Sequence, residues 1–284
     1  VVLDGVYTFV YSNSEVRNKV QFLMNTPPKK YDAIFLGSSR AENHIVPEMF
    51  QKRGLHAYNF GMGGGGLCDD SLLLKLFFEK GNTTDKLFLQ VDLQFMGEIP
   101  APAIQATFLP FFTTNPTIYN HYRENTENAF ALAYFPFYRY CSLDSKIGFR
   151  ELVLTVMNKK GKFYDTNGFI ALDNTLNPSI MYNLPTEVSK KNKYYNEIKA
   201  ICKKNKVQLI PFMAPFCPYV YHADFFAKLK QNVPELYDYS NFIKADSLFS
   251  TCGHHLKAQV FEGYTVPLIL GSCSVLLPVL LQIV

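Results

Sequence analysis

The sequence predicts a three-layer α/β/α sandwich on a parallel sheet, carrying a helical and loop insertion, and three observations lead there. Short apolar runs, such as residues 33–36 and 86–91, have the length and composition of buried strands. Between them, apolar residues return every three or four positions, the period of a helix packed on one face. The two patterns alternate along the chain, which makes successive strands parallel and covers both faces of the sheet with helices.

The elements follow in order. Val16, Val20 and Leu23 share a helical face behind Asn13 or Ser14, either of which supplies an N-cap. Residues 33–36 and 56–60 read as short buried strands on either side of a helix near residues 47–52. Leu72, Leu73, Leu76 and Phe77 give the next helix its inner face, and residues 86–91 return as a strand. Tyr194, Ile198 and Ile201 mark a later helix, followed by a strand over 207–210 that ends at Pro211, a residue with no N–H to donate to a ladder. Between residues 100 and 185 the alternation stops. Pro110, Pro116 and Pro136 punctuate an aromatic-rich stretch that reads as an insertion or lid within one domain spanning residues 1–284.

Composition excludes several function classes. The 284 residues carry a net charge of only +4, and the lysines at 190, 191, 193, 203, 204 and 206 read as the solvated face of one helix, so nucleic acid is not an expected partner. Six cysteines, at 68, 141, 202, 217, 252 and 273, show no C-x-x-C spacing. No metal and no cofactor are expected, and the thiols read as free and buried. The first residue is Val1, which fits a leader or membrane anchor removed upstream. Residues 266–284 are free of charge and nearly long enough to span a bilayer, but Pro267, Gly271 and Pro278 oppose a helix, so burial against the sheet is expected.

Chemistry concentrates where the first apolar run ends, at Gly37-Ser38-Ser39-Arg40. A serine at the exit of a central parallel strand stands at the carboxyl edge of the sheet, where open α/β sheets gather their ligands. The same four residues also suit a plain turn and helix cap. A second turn, Gly61-Met62-Gly63-Gly64-Gly65-Gly66, satisfies G-x-G-x-x-G, and Asp92 ends the following strand, as a dinucleotide site requires. Against nucleotide stand Asp69 and Asp70, which occupy the start of the following helix, and the place of the unit as the second rather than the first crossover.

Three blocks taken together resemble the SGNH, or GDSL-type, hydrolase superfamily. Gly37-Ser38-Ser39 is similar to its nucleophile block, Asn59-Phe60-Gly61-Met62-Gly63-Gly64 to its glycine block, and His255-Leu256-Lys257-Ala258, with Tyr264-Thr265 beyond, to its histidine block. Residues 31–47 and 248–265 resemble more narrowly the envelope-anchored branch that includes alginate O-acetylation and D-alanine transfer proteins. The resemblance implies a flavodoxin-like sandwich at the cell envelope or periplasm, membrane-anchored or exported. It implies an acyl-Ser39 intermediate on an acylated glycan or small ester, as an esterase or an O-acyltransferase.

In that reading His255, or its neighbour His254, is the base, since neutral imidazole can take the proton that makes a serine hydroxyl nucleophilic. Backbone N–H groups of Ser39 and Gly64, with the Gln94 amide, would hold the oxyanion. Arg40 and Arg123 are candidate substrate contacts. The acid that the family places three residues before its histidine is Cys252 here, so Asp238 or Asp246 is expected to orient the base from another loop. The missing acid also supports a second reading, a catalytically weak or inactive glycan-binding protein on the same fold.

Overall fold

Five strands form one wholly parallel sheet in the computed structural model, which describes residues 1–142, 144–172, 182–216, 220–242, 249–251 and 255–256. In chain order the strands are β1 (Lys30–Leu36), β2 (Ala57–Asn59), β3 (Thr83–Gln90), β4 (Tyr182–Asn183), β5 (Gln208–Met213), β6 (Val220–Tyr221), β7 (Tyr237–Asp238), β8 (Phe249–Thr251) and β9 (His255–Leu256). The central sheet has the order β2-β1-β3-β5-β7. Its register sets Phe35 beside Asn59 on one side and Phe88 on the other, and Phe88 in turn beside Ile210. Strand β4 pairs with β6 in a parallel ladder, and β8 with β9 in an antiparallel one.

Alternation along the strands builds the two faces. Ala33, Phe35, Phe88, Ile210 and Phe212 enter a smaller core with Met49 and Phe50, while Ile34, Leu36, Leu87, Leu89 and Met213 enter the main core on the other side. The smaller face is covered by α3 (Ser39–Glu42) and α4 (Glu48–Gln51). Across the main core pack α5 (Leu67–Glu79) and α12 (Lys193–Lys204), with α1 (Val2–Ser12), α2 (Lys19–Asn25) and α13 (Asp224–Asn232). The expected three-layer α/β/α architecture is therefore the one observed.

The stretch that breaks the alternation is largely helical. It runs through α6 (Pro102–Phe108), α7 (Pro116–Asn125), α8 (Ala129–Tyr134), α9 (Tyr138–Cys141), α10 (Asp144–Ile147) and α11 (Phe149–Val156). Proline sits in the first turn of α6 and of α7, where a missing N–H costs nothing.

Several boundaries differ from the sequence expectation for local reasons. Helix α2 is capped by Asn18, whose side chain accepts the Gln21 N–H, whereas Asn13 closes α1 and Val16 lies before the helix. Strand β5 runs through Pro211 to Met213, because β7 joins only from Phe212 onward and leaves β5 an edge beside the proline. Asn192 caps α12, so Lys190 and Lys191 precede that helix instead of lying on it. Among the described residues Cys68, Cys141 and Cys202 are free thiols, the first and third buried and Cys141 exposed. No helix among the described residues is long and apolar enough to cross a membrane. Residues 266–284 lie outside the described residues.

Candidate functional site

The chain leaves β1 toward β2 on one side and later returns to β3 on the other, so the carboxyl ends of β1 and β3 flank the topological switch point of the sheet. Gly37 makes the turn there. Its φ of +142° and the 2.6 Å that would separate an added Cβ from Gln90 Cβ leave room only for glycine. Its amide donates to Asp70 Oδ1 at 3.1 Å, and its carbonyl accepts the Met62 N–H at 2.8 Å, which straps the glycine loop to the end of β1.

The two serines part company at this turn. Ser38 is the N-cap of α3, and Gln90 Oε1 accepts both its N–H and its hydroxyl, each at 2.9 Å. Ser39 is the first residue of α3 and is half-buried at the mouth of the crevice. The loop after β2 reaches it: a Cβ built on Gly63 would lie 3.9 Å from Ser39 Cβ. Gly63 donates its N–H to Glu42 Oε2 at 2.9 Å. Gly64, next in the loop, adopts φ +82° and is exposed, and an added Cβ there would meet no described atom within 4 Å.

Beneath the crevice lies a polar floor that was not foreseen. Gln90 Nε2 donates to Asp92 Oδ2 at 2.6 Å, and the same oxygen takes Arg40 Nη1 at 2.9 Å. Arg40 Nη2 donates to the carbonyls of Ala214 and Pro215, and the guanidinium lies 4.2 Å from the Phe216 ring centroid. Only 2 % exposed, Arg40 faces inward and joins the ends of β1, β3 and β5. Asn59, also buried, donates to the carbonyls of Ala41 and Ile45 and accepts the Gly61 N–H, so the glycine loop and the α3 segment are held by one side chain.

The remaining candidates divide by position. Gln94 donates its amide to the Gly65 carbonyl at 3.2 Å, at the rear of the glycine loop. Asp238 ends β7 and accepts the Ser240 N–H at 2.8 Å. Three strand spacings separate β7 from β1, about 14 Å across the sheet. Arg123 is exposed in the last turn of α7. His255 lies in β9, its backbone opposite Thr251, and its side chain is outside the described residues, as are His254, Asp246, Cys252, Tyr264 and Thr265.

Burial tunes the acids around the glycine loop. Asp69 closes the N-terminus of α5 by accepting the N–H groups of Gly66 and Ala101 at 2.9 and 3.2 Å, and burial pushes its carboxyl up to about 6 against the pull of those donors. Asp70 is held well above the usual carboxylate range by burial first and by the Asp69 charge second. With Asp69 seated on the helix end, the position a pyrophosphate would take is filled by the chain itself.

A pocket of about 360 Å³ opens beside this loop, lined by Arg17, Lys19, Glu42, Met62, Gly63, Ile104, Lys146 and Phe163. Lys19 reaches its wall from α2, donating to the Gly61 carbonyl at 2.5 Å and pairing with Glu42 Oε1 at 3.1 Å. Burial lowers the pKa of its amine, and the Glu42 carboxylate opposes that shift. A second cavity, of about 410 Å³, lies between α5, α7 and α12, where Cys68 Sγ meets His121 Nε2 at 3.2 Å. Burial drives the thiol up to about 12 and the imidazole down to about 4, both against the charged thiolate–imidazolium form. The described residues hold no group of three or more His, Cys, Asp and Glu side chains placed to bind a metal ion. No family model matches the chain, and no curated protein matches it.

Proposed function

We propose that the chain performs acyl-ester chemistry on cell-envelope glycans, as an SGNH-like serine esterase or O-acyltransferase working through an acyl-Ser39 intermediate. The observation that carries this reading is the position of Ser39. It stands at the first position of α3, at the switch point of the sheet and against the Gly63–Gly64 loop, with the 360 Å³ pocket adjoining. Of the two serines, Ser38 serves as the N-cap of α3 and donates its hydroxyl to Gln90 Oε1.

In the proposed reaction Ser39 Oγ attacks the ester carbonyl while His255, or His254, takes its proton. The tetrahedral oxyanion rests on the N–H groups of Ser39 and Gly64, the imidazolium returns the proton to the departing alkoxide, and the acyl group remains on Ser39. Water or a sugar hydroxyl then accepts it. Arg17, Lys19, Lys146 and Glu42 offer donors and an acceptor suited to a hydroxyl-rich substrate. An envelope substrate places the working protein in an exported or membrane-anchored setting.

Hydrolysis of p-nitrophenyl acetate by the parent, Ser39→Ala and Ser38→Ala tests the proposal. Loss of roughly a thousandfold in kcat for Ser39→Ala, with Ser38→Ala retaining turnover, is the expected result. Equal, negligible rates for all three favour the second reading, a glycan-binding protein, which Cys252 at the usual place of the acid supports.

A further inference from the structure

Two neighbouring helices turn the usual amphipathic arrangement inside out. In α1 the residues facing the protein are Asp4, Tyr7, Thr8 and Tyr11, at the i, i+3, i+4, i+7 spacing of one helical face. Asp4 accepts the Phe137 N–H at 3.0 Å and pairs with Arg139 at 2.7 Å, Thr8 bonds Tyr140 at 2.7 Å, and Tyr11 donates to the Gly148 carbonyl at 3.1 Å. The opposite face carries Val2, Val6 and Phe9, exposed by 80, 46 and 69 %. Helix α11, which packs on α1, repeats the pattern: Leu152 and Thr155 are buried, while Phe149, Val153, Val156 and Met157 lie outward at i, i+4, i+7, i+8. Two adjacent apolar stripes that no described residue covers are more than scattered surface residues.

Charge selects the occupant. Residues 146–162, which contain α11, carry five basic side chains, Lys146, Arg150, Lys159, Lys160 and Lys162, against the single acid Glu151. Glu151 is itself paired with Arg17 and Arg150, and Lys160 is paired at 2.7 Å with Asp165 just beyond the segment. The basic side chains are exposed and flank the apolar stripe. An aliphatic and aromatic stripe with a cationic border is the composition of a helix lying in the headgroup region of an anionic bilayer.

We propose that the α1–α11 face seats the protein on an anionic lipid surface. Phe9, Phe149 and Val156 enter the acyl boundary, and Lys159 and Lys162 meet the phosphates. Arg17 bridges to α11 through Glu151 and, with Lys146, also lines the 360 Å³ pocket, so seating brings that pocket close to the headgroups. This inference does not rest on the acyl-transfer reading, and vesicle binding and ester turnover fail independently.

Co-sedimentation with vesicles of phosphatidylcholine containing about one third phosphatidylglycerol tests it, with pure phosphatidylcholine vesicles alongside. The parent should sediment with the anionic vesicles and lose binding as salt is raised. The triple variant Phe9→Ser/Phe149→Ser/Val156→Ser and the double variant Lys159→Glu/Lys162→Glu should each bind about tenfold more weakly at unchanged melting temperature. Because the lysines are exposed, the second variant remains informative where the first does not fold. A parent that stays in the supernatant, or a charge-reversed variant that binds like the parent, overturns the proposal. So does sedimentation equilibrium showing a lipid-free dimer that the apolar variant dissociates, in which case a second copy covers this face.

Discussion

Ser38 and Gln90 lock β1 to β3 at the point where the two strands diverge: one side-chain oxygen of Gln90 accepts both the amide and the hydroxyl of Ser38, each at 2.9 Å. The neighbouring serine thereby follows a residue fastened by both its amide and its hydroxyl. Replacing Ser38 by alanine removes one of the two bonds and should cost about 1 kcal/mol in a urea titration while leaving ester turnover measurable. A Ser38→Ala protein that loses turnover while Ser39→Ala keeps it would show that the assignment of the two serines is reversed.

Arg40 and Asp92 form a buried ion pair whose members differ in what their loss exposes. Arg40→Met leaves the Asp92 carboxylate without its cation in a site closed to water, and should destabilise the protein by about 3 to 5 kcal/mol in chemical denaturation. Adding Asp92→Leu should recover part of that loss, because an apolar pair no longer buries a lone charge. A double variant less stable than the sum of the two single changes would contradict this account.

Gly37 and Gly64 both adopt positive φ, yet alanine should be felt differently at each. At Gly37 the new Cβ would meet Gln90 Cβ at 2.6 Å and Ala41 Cβ at 2.9 Å, so strain and overlap together should cost about 2 to 4 kcal/mol. At Gly64 nothing lies within 4 Å, and only the left-handed backbone is penalised, by about 1 to 2 kcal/mol. Thermal denaturation of the two variants separates the cases by the larger fall in Tm at Gly37.

Asp69 makes stability depend on pH in an unusual direction. Its folded pKa of about 6 lies above that of an unfolded aspartate, so between about pH 4 and pH 6 the native state binds more protons than the unfolded one. Stability from this group is present below pH 4 and declines as pH rises to 6, by about 3 kcal/mol. Asp69→Asn keeps an oxygen to accept the Gly66 and Ala101 N–H groups and should flatten that decline. An unchanged slope in denaturation midpoints across this range would assign it to another group.

Much of the sheet was legible because its signals are local. Residues 33–36 and 86–91 are apolar runs bounded by turns, and the face of α5 repeats with helical period. Pro211 misled for the same reason: a proline argues against a central strand, but whether β5 is an edge at that residue depends on where β7 begins, some 26 residues later. The adjacency of the Gly37 turn and the Gly61–Gly66 loop was readable from their order along the chain. The Arg40–Asp92–Gln90–Ser38 floor was not, since its members are drawn together over 52 residues and leave no periodic trace. Lys19 was missed because a lysine on a helix normally reads as solvated surface, and only the pairing with Glu42 and the Gly61 carbonyl explains its burial.

The inward-facing guanidinium of Arg40 has an evolutionary and practical corollary. By directing its donors to Asp92 just past β3 and to the carbonyls of Ala214 and Pro215 just past β5, it ties the segment after β1 to the ends of both strands, so substitution at the base of the crevice is costly. In the proposed site, diversification of ligand choice would then fall on the surrounding walls, on Arg17 and Lys19 and on the helical excursion that supplies Ile104, Lys146 and Phe163. Grafting a different excursion between residues 100 and 172 is accordingly the route by which this scaffold would acquire a new specificity without being rebuilt.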